Sequence, residues 1–430
     1  MADVRPFRAL RYAPTADPAL AIAPPYDIIS PAEQQALYER SPHNVVRVEY
    51  GMRHETDTEA DSRYTRAAAD LAHWRAEGVL AIDDRPAIYG YRQAFAWADE
   101  RYTRHAWFVA LRLEEWEKGV VKPHEHTLAN PKADRMSLLR ATHTQVSPVY
   151  SLFRERAPSV TRIPEGEPLF DFEADGQRHM LSAITDAPGI AAFQAMLAAS
   201  DVYIADGHHR YETALAYRDE VRARASGWTG DEPENFVLMA LTRHDDPGLL
   251  VLPTHRLVHK PFDASNALKR IHRRFSVGSG LPPVQLGVAL RDMHDQASAG
   301  ETAFVAIGLD GSRVHTLTLA DRTGVESLMP REQSDPWKRL DVNVLQYGVL
   351  LDIVGIDDEA LREGGAVSYV QDPMDAERAV ASGMAACAFL LNATPVEQVL
   401  AVSDAGGRMP QKSTYFYPKL PTGLVIRALV

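Results

Sequence analysis

Asp206-Gly207-His208-His209-Arg210 sets a carboxylate, two imidazoles and a guanidinium in one short run, and these side chains can hold and orient an anion. Just before it, Val202 to Ala205 is apolar and partly β-branched, the composition of a buried strand. Gly207 frees the backbone to turn, and Tyr211 to Arg224 carries apolar residues at helical spacing. Strand, glycine turn, helix is the expected order. Unpaired N–H groups at a helix start favour negative charge, and Arg210 adds a planar fork of donors. Asp206, beside that anion, could orient a metal ion or a hydroxyl. An ordinary helix start with satisfied histidines is the plain alternative, and it does not account for so many reactive groups in a row.

Two further clusters point to the same chemistry. Lys122-Pro123-His124-Glu125-His126-Thr127 offers a carboxylate flanked by imidazoles. Lys412-Ser413-Thr414, inside the run Met409 to Gly423, offers one point charge and two hydroxyls, a ready set of phosphate ligands without the glycines of a P-loop. Lys132 and Arg135, on either side of Asp134, add positive charge at the start of a predicted helix. A carboxylate base, a phosphate cradle and a cationic clamp are the parts that phosphoryl transfer needs. A metal hydrolase built on His124, His126, His208, His209 and His255 competes less well, because no His-Glu-x-x-His helix is present. Thiol chemistry fails on the single cysteine, Cys387, which lies in the core-like run Ala385 to Leu391.

The 430 residues should form two or three α/β (α+β) segments. The expected divisions are an N-terminal region over 1–115, a catalytic core over 116–257 and a C-terminal region over 258–430, whose stretch 409–423 returns to the active site. Hydrophobic content of 45% and charged content of 24% are those of a globular protein. Net charge −12 argues against nucleic acid and anionic membrane as partners. No apolar stretch is long enough to span a bilayer, so a cytoplasmic protein is expected. The oligomeric state is open, a homodimer among the options. Among the elements, Ser30-Pro31-Ala32-Glu33 predicts a capped helix, Val45 to Tyr50 a strand, Ile88 to Trp97 with Tyr102 to Leu113 an antiparallel pair, and Leu340 to Val354 a helix.

At these residues a resemblance enters. Asp206 to Arg210 resembles the phosphate-binding motif of the ParB/sulfiredoxin superfamily, and most closely that of its free L-serine kinases. Those kinases also carry a Lys-Pro-His-Glu stretch, similar to Lys122 to Glu125, and a Pro-Lys-Thr-Thr-type end, loosely similar to Lys412 to Thr414. Over nearly its full length the chain resembles the family known as domain of unknown function 1015, through Pro24 to Ser30, Ala205 to Thr213 and Met409 to Lys419.

The kinase resemblance implies a ParB/sulfiredoxin-like core that makes O-phospho-L-serine from free serine. Glu125 would be the general base and Asp206 a catalytic and Mg²⁺-holding group. Gly207, His208, His209 and Arg210 would bind the donor's phosphates, with His209 also catalytic and Lys132, Arg135, Lys412, Ser413 and Thr414 assisting. His124 would either orient Glu125 or touch the substrate; apart from the resemblance, Tyr26 and Asp27 either line the site as substrate contacts or fix a turn. ATP, ADP and pyrophosphate all stay open as donors. The alternative within the resemblance is a ParB-related protein that binds or hydrolyses nucleotide. The region before Trp116 has no counterpart in the small kinases, and sulfiredoxin chemistry is out for want of its cysteine.

Overall fold

The computed structural model describes residues 1–156, 165–363 and 365–429, in two compact units of mixed α/β structure. The first unit combines Met1–Pro123, Thr127–Leu250 and Pro418–Val430; the second combines His124–His126 and Val251–Tyr417. The position after residue 115 falls within the first unit, and the run 409–423 is divided between the two.

A nine-stranded sheet organises the first unit. Its path runs Val121–Lys122, Ser200–Asp206, Val149–Glu155, Phe236–Arg243, Glu100–Arg112, Ile88–Trp97, Gln177–Ile184, Glu167–Ala174, with Val4–Arg5 pairing beside Glu100–Arg112. Apolar runs take its middle: Val149 to Phe153 and Phe236 to Thr242 are buried along their whole length, as strands covered on both faces must be. Tight turns take its edge. Trp97 pairs with Glu100 across Ala98-Asp99, and Gln177 pairs with Ala174 across Asp175-Gly176. Ala98, Asp175 and Gly176 all adopt positive φ, the conformation that two-residue hairpin loops require. The helices Ala187–Ala198 and His208–Arg224 bury Phe193, Leu197, Tyr211, Ala214 and Leu215 in one cluster with Val149, Phe153, Val202 and Ile204 of the sheet. Leu10, Val46, Trp74, Leu138 and Ile426 form a separate core.

The second unit holds a six-stranded sheet in the order Phe275–Val277, Val314–Leu319, Ala303–Ile307, Cys387–Leu390, His255–Val258, Val367–Val370. Every pairing in it is antiparallel. Phe304 and Phe389 join a core with Trp337 and Val344, whereas Val305 and Ala388 join another with Leu286 and Met293, the alternation expected of strands with two covered faces.

Three expectations need correction. Val45 to Tyr50 is no strand: Val46–Glu49 is a short helix. The buried Asn44 decides this, because its amide donates to the carbonyls of Leu20 and Ile22 while its Oδ1 accepts the Val46 N–H. The helix expected over Leu340 to Val354 runs as α-helix over Asp341–Leu345 and then widens to π-type turns over Gln346–Val354. A final strand, expected from the apolar run Leu424 to Leu429, narrows to Arg427–Ala428, paired with Thr144–Gln145.

Candidate active site

Ser200–Asp206 is a buried strand, Gly207 turns the chain at φ +92°, and the helix His208–Arg224 begins at once. Glycine is required here twice over. A side chain would be strained at that φ, and an added Cβ would stand 2.8 Å from Arg210 Nε. Arg210 folds back over the turn. Its Nη1 donates to the Pro148 carbonyl, its Nη2 lies 3.6 Å from Asp206 Oδ2, and its side chain is 10% exposed.

Asp206 has a second cation. Lys419 Nζ donates to its Oδ2 at 3.2 Å. Burial alone would raise the Asp206 carboxyl, but the Lys419 ammonium and then the Arg210 guanidinium outweigh it and hold the group well below the usual carboxylate range. Lys419 was absent from the candidates drawn from sequence. It follows the Lys-Ser-Thr run by a few residues, and nothing local marks it as the partner of a carboxylate more than two hundred positions earlier.

A buried ionic layer lies in the same unit. Arg135 Nη1 lies 3.2 Å from Glu49 Oε1, Arg135 Nη2 donates to Asp134 Oδ2 at 2.5 Å, and Arg63 donates to Asp134 Oδ1. Tyr26 lies under the Arg135 guanidinium, 4.0 Å from ring centroid to Cζ. Burial pushes its hydroxyl up to about 12 against the lowering effect of Arg135 and Arg210, so it stays protonated near neutrality. Burial likewise raises the Glu49 carboxyl, opposed by Arg135, Arg210 and a hydrogen bond from Ser147 Oγ. Arg135 is therefore a buried structural cation. Tyr26 and the exposed Asp27 instead line a cleft of 640 Å³ together with Tyr50, Arg53, Arg63 and Asp134.

Around the first helical turn, His208 is buried. His209 Nε2 accepts the Leu128 N–H at 2.9 Å, which places the proton of the neutral ring on Nδ1. Burial lowers its affinity for a second proton, although Asp27 and Glu212 work the other way. Lys132 donates to Glu212 Oε2 at 2.9 Å, and Thr127 Oγ1 donates to the same oxygen at 2.6 Å. Glu212, like Glu49, was missed from sequence; an acidic residue on a helix has no local signature.

The remaining candidates belong to the second unit. His124 is fully buried, with Nε2 3.3 Å from Thr414 Oγ1 and 3.9 Å from Glu125 Oε1. The Met409 N–H donates to the His124 carbonyl at 2.6 Å, and Glu125 bridges to Met409 in parallel fashion. The His124-Glu125 and Lys412-Ser413-Thr414 segments are thus brought together. Ser413 is turned inward: it is buried, and its Oγ donates to the Pro410 carbonyl at 2.6 Å. Lys412 is exposed at φ +58°, with its carbonyl accepting from Arg256 Nη2 at 3.3 Å.

Among the described residues, no group of three or more His, Cys, Asp or Glu side chains could hold a metal ion, and no helix is long and apolar enough to cross a membrane. A magnesium ion does not require such a group, because it keeps waters and takes one or two carboxylates plus substrate phosphates. Asp206 fits that role, since both of its ion pairs fall on Oδ2.

No curated protein matches the chain in sequence. Among solved structures, a free serine kinase mutant in complex with ADP is 14% identical, with a TM-score of 0.38 over 75% of this chain and 91% of that one. A conserved hypothetical protein from Pyrococcus furiosus is also 14% identical, with a TM-score of 0.36 over 75% and 94%. SbnI with C-terminal truncation, from Staphylococcus aureus, is 10% identical, with a TM-score of 0.33 over 75% and 87%. Likenesses this slight carry no argument about chemistry. The family model described as protein of unknown function, DUF1015, matches residues 4–343, and the chain belongs to that family.

Proposed function

We propose that this protein is a small-molecule kinase that phosphorylates free L-serine to O-phospho-L-serine, with ATP, ADP or pyrophosphate as donor. The observation that carries the proposal is the ionised Asp206, paired with Lys419 and Arg210 at a glycine turn that opens a helix. A turn of this kind suits a phosphoryl group: N–H donors and fixed cations surround the place where negative charge is handled.

The pairing also suggests a division of labour. A carboxylate held far below the working pH is a weak base, so Asp206 positions charge and leaves proton removal to another group. Glu125 is that group in our reading: it takes the proton of the serine hydroxyl as the oxygen attacks the terminal phosphorus in line, while the bridging P–O bond opposite breaks and ADP, AMP or inorganic phosphate leaves, according to the donor. No covalent enzyme intermediate forms. His208, His209 and Arg210 hold the donor's phosphates at the helix start, Lys132 and Lys412 add positive charge, and Thr414 offers a hydroxyl. Arg135 supports the turn from the buried layer, and Ser413 fixes the conformation of its own loop. His124 orients Glu125, and Tyr26 and Asp27 contact substrate from their cleft. Mg²⁺ held by Asp206 would neutralise charge on the donor's phosphates.

The test is incubation of the protein with L-serine and Mg²⁺ against each donor in turn, with phosphoserine followed by ³¹P NMR. Phosphoserine from one donor supports the reading. Donor hydrolysis without phosphoserine would favour a ParB-related nucleotide-hydrolysing protein instead. Replacing L-serine with homoserine or threonine then bounds the acceptor, since one methyl group is worth only about 1–3 kcal/mol.

A further inference from the structure

Within the first unit, charges alternate in sign from Lys419 through Asp206, Arg210, Glu49, Arg135 and Asp134 to Arg63. Each neighbouring pair is a direct ion pair except Arg210 with Glu49, which act on each other only over a longer range. Both of these residues line one small cavity of 50 Å³, together with Arg135, Ser147 and Thr213. Two polar atoms of its lining residues, Arg210 Nε and Thr213 Oγ1, are buried and have no hydrogen-bond partner among the described residues. Thr213 is 3% exposed, so its hydroxyl has no easy route to bulk water. Buried donors are rarely left unmet, and the cavity, although Leu138, Leu139, Val146, Ala214 and Val237 line much of it, has room for about one or two water molecules.

We propose that ordered water fills this cavity and links Arg210 Nε and Thr213 Oγ1 to the Glu49 carboxylate. Glu49 is then the residue that positions Arg210, and through Arg210 the Asp206 carboxylate. The geometry supports the link from both ends. Glu49 Oε1 is fixed by Ser147 Oγ at 2.8 Å and by Arg135, while Arg210 Nη1 is fixed by the Pro148 carbonyl. Each group is held by partners on its own side of the cavity, and a bridging water would join them. The N-terminal region thereby gains a role, since the short helix Val46–Glu49 supplies the carboxylate. The water link stands on the cavity alone; the consequence for turnover rests on the kinase reading.

A high-resolution crystal structure of the full chain tests the link directly. Ordered density within hydrogen-bonding distance of Arg210 Nε and Thr213 Oγ1 is expected, and an empty cavity overturns the proposal. A double-mutant cycle on thermal midpoints tests the positioning. Glu49→Gln should lower the midpoint in the wild type by at least twice as much as in an Arg210→Met background, because the partner across the cavity is gone. Equal effects in both backgrounds would mean that Glu49 serves Arg135 alone, and would overturn the positioning role. If Glu49→Gln fails to fold, Thr213→Val takes its place in the cycle with the same expectation. In the phosphoserine assay, Glu49→Gln should raise the donor KM about fivefold or more, in the same direction as Arg210→Ala, a change that loss of folded protein alone does not give because it lowers kcat and leaves KM unmoved. A wild type without turnover would sink the kinase reading, while the density still decides the water link.

Discussion

Gly207 and Arg210 form one device at the scale of single residues. The side chain of Arg210 occupies the space that a Cβ on Gly207 would take, so the bare glycine lets the guanidinium lie against the turn and reach Asp206. Gly207→Ala should therefore act twice, through backbone strain of about 1–3 kcal/mol and through displacement of Arg210. A fall in thermal midpoint together with weaker donor binding is expected; normal donor affinity would separate the turn from the site. Arg210→Ala should weaken donor binding by roughly ten- to a hundredfold, the worth of a charge-assisted hydrogen bond, and calorimetric titration reads it. Unchanged affinity would remove Arg210 from the donor site. Asp206 to Arg210 was legible in the sequence because its reactive groups are contiguous. Lys419 and Glu49 were not, because tertiary folding alone brings them to it.

Secondary structure explains which parts could be read in advance. The pair Ile88–Trp97 and Glu100–Arg112 was evident because long strands, covered on alternate sides, leave a clear period in the sequence. The same logic misled over Val45 to Tyr50, where four residues of helix are too short for periodicity to decide. What decides there is Asn44, whose buried side chain meets two carbonyls and one N–H. Asn44→Ala would leave these backbone groups unpaired, at about 1–3 kcal/mol each before relaxation. A loss of at least about 2 kcal/mol in urea denaturation is expected; a loss below about 0.5 kcal/mol would show that the helix Val46–Glu49, and with it Glu49, is held by packing alone.

For the molecule as a whole, acidity is the condition that bears on both units, because each buries a neutral histidine. Burial lowers His179 in the first unit and His255 in the second to about 4, the latter helped by Arg256. Their unfolded counterparts titrate near the ordinary value of about 6.5, so between these values the unfolded chain binds protons that the folded chain refuses. The contribution of these two histidines to stability should thus be fully present above about pH 6.5 and fall as pH drops toward 4, by at most about 3 kcal/mol per histidine. Burial of the Asp341 carboxyl, raised to about 6, works in the opposite direction over the same window, so thermal midpoints are compared between the wild type and a His179→Gln/His255→Gln double variant; the same pH dependence in both would contradict burial of both rings. The two-unit arrangement was itself hard to foresee, since His124–His126 and Pro418–Val430 each join a unit remote in sequence. The proposed phosphoryl transfer depends above all on Glu125. It is tested most directly by comparing wild type with Glu125→Gln for phosphoserine formation from L-serine, while donor affinity is measured on the same samples. Phosphoserine is expected from the wild type, with a loss of about a thousandfold or more in the variant and donor affinity unchanged within about twofold. Equal turnover by the two proteins would contradict that dependence.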